Sequence, residues 1–242
     1  MMRASIAAII LAILAFSACA QDFFAGNIQS GFNTGSVASL NITRGDVLAE
    51  EPGSQAEPRG DPDYTNIPSP AISAFRPARD VADRVNDRFV DMMSRGQPSK
   101  RGEIATFLGN GALMRNFERL MAGYGFDPLN LADVIAAHYI VLWEVVHDQV
   151  PTHGEVRGTR GCIVARLAGK SELAGMSNAQ KQEAADTLKL LSALVLTSYE
   201  DFKRRGDRQG MANFQTIVSG WTRRQGIDLG RISITETGFR QR

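Results

Sequence analysis

The chain has 242 residues, 43% hydrophobic and 22% charged, with 27 Lys and Arg against 26 Asp and Glu. A net charge of +1 provides no basic field to attract nucleic acid or an anionic membrane surface. That length suits one domain plus a tail, or two small domains.

Met1-Met2-Arg3 places one cation ahead of an apolar run from Ile6 to Phe16, and Ala18-Cys19-Ala20 brings small residues to the positions a signal peptidase reads. The expectation is a signal peptide over residues 1–20, cleaved before Gln21, and a protein exported to the periplasm or the cell exterior. The apolar run is shorter than the roughly 20 residues a bilayer requires. No later run reaches that length, so no transmembrane segment is expected after signal removal. The competing reading is a lipoprotein with its lipid anchor on Cys19, although Phe16 stands where Leu is usual. Once Cys19 leaves with the signal, Cys162 has no intramolecular disulfide partner. The fold must then be held by its core, with Cys162 as a small buried residue in it.

Residues 21–75 read as a flexible acidic tail. They hold six glycines, five prolines and a net charge of −5, with no sustained periodicity. The stretch from Glu50 to Asp63 has too little apolar surface to repay ordering, and disorder is expected over about residues 49–69.

From Pro77, which suits a first helical turn, the chain reads as helices. Val81, Val85, Phe89 and Met92 repeat on one face, and Arg95-Gly96 with Pro98 is a stop signal. A short helix over 99–108 presents Ile104, Phe107 and Leu108. Asn110 is placed to cap the next, which should run to about Ala122 and bury Met114, Phe117, Leu120 and Met121. Residues 130–149 form the most distinctive segment. Asn130 is an N-cap residue, and Asp133 suits a capping-box-like return bond. Between Val134 and Val146 only His138 and Glu144 are strongly polar, so this helix is predicted to be buried nearly all round.

Residues 155–170 give a weaker helix, because Gly158 and Gly161 each cost about 1 kcal/mol relative to Ala. Ser177 and Gln180 form a capping box that opens the longest helix, to about Arg205, with Gly206 closing it. Ala184, Leu188, Leu191, Val195, Tyr199 and Phe202 are its core stripe. Asp207 caps a last helix carrying Met211, Phe214, Val218 and Trp221, and residues 231–235 alternate as a short strand would. The fold class is therefore all-α: one multi-helix, orthogonal or bundle-like domain over 76–239, built around the buried helix 130–149.

Three features carry a resemblance. They are Asn130-Leu131-Ala132-Asp133 opening a helix with Trp143, Gln182 early in a long helix, and Gly226-Ile227-Asp228-Leu229 leading to Thr237-Gly238-Phe239. Together they resemble an uncharacterised family of exported bacterial proteins catalogued only as a domain of unknown function, over about 75–239. The resemblance implies a secreted helical domain and brings neither an activity nor site residues.

The motifs of common chemistries are missing. There is no G-x-S-x-G, H-E-x-x-H or C-x-x-C-H. His138 and His147 are nine residues apart, not the four that a helical zinc pair uses. Glu144 and His147 make one E-x-x-H where a di-iron bundle needs two. No catalytic residue, metal ligand or cofactor is assigned. Asp133, His138, Glu144 and His147 remain as binding candidates, with Asp133 read most simply as a helix-start residue and His138 as a satisfied core histidine. The function expected is a non-catalytic binding or structural module of the cell envelope, contacting an unknown protein or an envelope component. The alternatives are an envelope hydrolase using Glu144, assisted by His138 or His147, and a carrier of a small apolar ligand.

Overall fold

The computed structural model describes residues 67–242; the expected signal peptide, Cys19 and the tail through residue 66 lie outside the described residues. The described chain is helical with one small hairpin. In order it forms α1 (Arg79–Ser94), α2 (Arg101–Gly109), α3 (Ala112–Gly123), α4 (Leu131–His147), α5 (His153–Ala168), α6 (Ser171–Gly175), α7 (Asn178–Arg205) and α8 (Arg208–Arg224). Then come β1 (Ile232–Thr235) and β2 (Gly238–Gln241).

Helix α4 is the centre, as its sequence requires. Only Glu144, Val146 and His147 escape full burial in its 17 residues. Helices α7 and α5 pack along it, and α8 covers a further side. Such a helix has no polar face to give to water, so its neighbours must be helices that present apolar stripes. Leu188, Leu191, Val195 and Tyr199 of α7 are that stripe, all buried.

Local signals set the ends. The Ser177–Gln180 capping box opens α7, and Gly206 closes it at φ 67° after Lys203, Arg204 and Arg205. Asp207 accepts from the Gly210 amide to open α8. Helix α1 starts at Arg79, two residues after Pro77, and has no cap of its own. Gln182 of α7 caps it from outside: its side chain accepts from the Ala78 amide at 2.7 Å and donates to the Ala78 carbonyl at 2.8 Å. Asn178 holds Arg76 the same way. The first turn of α7 thus acts as a template for the start of α1.

Several expectations need correction. Helix α5 begins at His153 behind an unforeseen Thr152–Glu155 capping box. Asn110 accepts from the Ala112 amide at 2.7 Å, but the residue next to α3 is Gly111 in the left-handed region. Leu120 is 40% exposed, so the apolar stripe of α3 is wider than the surface that covers it. The packed body also starts before residue 76. Ala74 bridges Asn130, the Phe75 amide donates to the Leu129 carbonyl at 3.0 Å, and Phe75 is buried.

The antiparallel hairpin runs from Ile232 opposite Gln241 to Thr235 opposite Gly238. Trp143 Nε1 of α4 donates to the Ile232 carbonyl at 2.8 Å, and His147 Nε2 bonds the Leu229 carbonyl at 2.9 Å. The turn presses on α5 at Gly158, where an added Cβ would stand 1.6 Å from the Glu236 carbonyl oxygen. The glycine that weakens this helix locally is what lets the hairpin lie against it.

Gly158→Ala should therefore displace the hairpin and uncover Trp143. The expected readouts are a red-shifted tryptophan emission and a melting temperature lower by several degrees. Gly102→Ala is the control, because nothing stands within 4 Å of its would-be Cβ. It should leave emission unchanged and stabilise by up to about 1 kcal/mol. Equal behaviour of the two variants would remove the steric argument.

Candidate functional site

The four sequence-predicted candidates all lie on α4 but go to different environments. Asp133 is fully buried, in a role different from the capping one expected of it. Asn130 alone caps the helix, accepting from the Ala132 amide. The Asp133 carboxylate instead meets Arg160 of α5, Nε to Oδ1 at 2.9 Å, an ion pair whose N–H is not aligned on the oxygen. Its other oxygen accepts from Ser69 Oγ at 2.5 Å, the Asp127 amide at 2.8 Å and Arg160 Nη2 at 3.2 Å. Arg160 also donates to the Ile67 carbonyl at 2.7 Å and Ser69 Oγ at 2.8 Å, with its guanidinium 5.8 Å from the centre of the Phe126 ring. The pair is buried and bonded to residues 67–69 and to the Asp127 amide, so it ties the body together.

His138 is also buried. Its Nδ1 lies 2.8 Å from Ser192 Oγ, with Tyr139 and Trp221 edge-on to the ring. Burial away from water pushes the imidazole down to about 3, so it stays neutral across ordinary pH. His147 stacks on Trp143 at 4.6 Å between ring centres and is held by the Leu229 carbonyl. Cys162 is buried in α5. Among the described residues no group of three or more His, Cys, Asp and Glu is placed to hold a metal ion.

Glu144 is the exception. It lines a groove of about 320 Å³. Phe117, Leu120 and Met121 of α3 form one wall, with Tyr124 and Phe126 of the loop that follows beside them. Ala137, Ile140, Val141 and Glu144 of α4 form the floor, Leu196 and Glu200 of α7 a second wall, and Val150, Pro151 and Val156 the remainder. Leu120 and Val150, 40% and 66% exposed, leave apolar surface open to water here. None of the three histidines lines this space, so the structure does not bring His138 or His147 to Glu144 within it.

The carboxylate that does share the groove is Glu200, which the sequence reading did not single out. Burial, and then the Glu200 charge, push Glu144 above the usual carboxylate range, against an opposing pull from Lys203. Lys203 itself is engaged beside the groove, 3.0 Å from Tyr199 Oη and 3.4 Å from Asp148. Asp148 ends α4 in the left-handed region at φ 50° and accepts from Tyr199 Oη at 2.5 Å. Burial and that carboxylate push the phenol up to about 12. The arrangement can accept hydrogen bonds, hold positive charge and cover an apolar body.

The model of the Family of unknown function (DUF6683) matches residues 4–242, and the chain belongs to that family. No curated protein and no solved structure matches the chain.

Two outcomes follow from these environments. Arg160→Met leaves the Asp133 charge buried without its cation and should cost about 3–5 kcal/mol in denaturant unfolding. Pairing it with Asp133→Leu should restore most of that loss, and a double variant as unstable as the single would show that charge is not the cause. For Glu144, the folded value lies above the unfolded one, so the folded state holds the proton more tightly and loses stability as pH rises through that interval. Glu144→Gln should raise the melting temperature at pH 7 by about 1–3 °C, a small gain because the side chain is partly solvated. The gain should vanish below about pH 4, where both states carry the proton. A gain that persists there would point to shape and not charge.

Proposed function

We propose that this member of the family is an exported, non-catalytic binding module of the cell envelope, and that the groove between α3, α4 and α7 receives its ligand. The observation that carries the reading is an apolar groove left open to water between packed helices. A volume of about 320 Å³ lies at the lower end of the roughly 300–1,000 Å³ of small-molecule sites. Its floor is the most enclosed helix among the described residues, so the site is held by rigid elements. Exposed apolar surface at Leu120 and Val150 adds a driving force that a ligand would satisfy. Export rests on the leader pattern of residues 1–20. A protein delivered that way would meet its ligand outside the cytoplasm.

The test uses the exported protein, recovered with Gln21 at its N-terminus, and the uncharged dye Nile red. Saturable fluorescence enhancement is expected, with an affinity at least tenfold lower for Val150→Asp. That variant places a charge on the apolar rim at a 66% exposed position, so its melting temperature should be unchanged. No saturable enhancement, or equal enhancement by the variant, would remove the groove as the binding site.

A further inference from the structure

The groove has a polarity that an apolar ligand alone would leave unused. Glu144 and Glu200 both line it, and among the described residues neither carboxylate is held by a hydrogen bond or an ion pair. Two carboxylates facing one apolar space repel each other and disfavour a second negative charge there. A bare divalent ion is a poor occupant, because it needs six or more oxygen ligands and the other walls are hydrocarbon. Three aromatic residues, Phe117, Tyr124 and Phe126, line the same space. Aromatic faces beside carboxylates are the surroundings in which proteins hold ammonium groups.

The neighbouring charges agree. From α7 come Glu200 and Lys203, and from the end of α4 comes Asp148, so three carboxylates including Glu144 stand against one ammonium. That ammonium is already engaged by Asp148 and the neutral Tyr199. The loop after α3 contributes Tyr124, on which the His153 ring of α5 stacks at 4.8 Å, while Val150, Pro151 and Val156 close the groove without charge.

We propose that the groove takes a small organic cation with a hydrocarbon body, an alkylammonium, its charge held by Glu144 and Glu200 and its chain against Phe117, Leu120 and Val150. The assignment rests on the groove being the binding site, and names what the site selects. The cation replaces the repulsion between the two glutamates with attraction to both. A proton on Glu144 competes with it, so affinity rises with pH as that proton leaves.

Calorimetric titration with octyltrimethylammonium and octanoate below their micelle concentrations, and octanol below its solubility limit, separates charge from chain. At pH 8 the cation should bind at least tenfold more tightly than octanol, with octanoate weakest, and its advantage should shrink at pH 5. The double variant Glu144→Gln, Glu200→Gln should reduce the cation to the affinity of octanol, with circular dichroism confirming the fold. Octanol binding as tightly as the cation, or an undiminished preference in the double variant, would overturn the charge assignment while leaving the apolar groove standing. No binding by any of the three would overturn both readings. A lysine-bearing peptide that outcompetes octyltrimethylammonium would overturn the small-ligand assignment in favour of a partner protein.

Discussion

The Arg160–Asp133 pair is the joint on which the described body depends. Both side chains are buried, and such ions are tolerated only when they are paired and most of their remaining polar atoms are hydrogen-bonded. Here the partners come from four places: α4, α5, the loop before α4, and residues 67–69. The pair therefore fixes where α5 crosses α4 and where the chain enters the body. Apolar packing alone tolerates small slides between helices, whereas a charge surrounded by fixed acceptors does not.

With that joint made, α4 can be enclosed. Asn130 caps its first turn and also donates to the Pro70 carbonyl at 2.8 Å, so the start of the helix and the arriving chain share one side chain. Its far end behaves differently. Glu144, Val146 and His147 reach the periphery, and Asp148 turns the chain out through the left-handed region. The groove lies toward this end, where α3 leaves part of its stripe uncovered. Architecture and site follow from one gradient along α4, sealed at its N-terminus and partly open at its C-terminus.

Much of this was legible in the sequence wherever the deciding signal was local. The burial of α4 follows from a run with two strongly polar residues, and the Ser177 box and Gly206 mark the ends of α7 within a few positions of themselves. What could not be read depends on residues far apart in the chain. Asp133 looks like a capping residue because its cation lies 27 positions on and its serine 64 positions back. Gly158 looks like a flaw until the Glu236 carbonyl arrives against it. Glu144 stood out as the polar break in an apolar run. Glu200, by contrast, sits among other charges near the end of α7, and only the packing of α7 on α4 brings it to the same groove. The stripe on α3 was legible as apolar, but how much of it would be covered was not.

The hairpin imposes an order of events on the growing chain. Residues 232–241 are synthesised after every helix they cover, yet they accept the Trp143 indole N–H and fill the slot at Gly158. Until they emerge, α4 and α5 have an open apolar flank, the kind of transient surface that invites association between nascent chains. The helices can form early, because their contacts are largely local, but the core closes late and through a long-range contact. A ribosome that stops before residue 232 releases a chain without the carbonyl that holds Trp143 and without the turn that fills the slot at Gly158. Quality control in the cell would meet that product as a misfolded protein and not as a shorter native one.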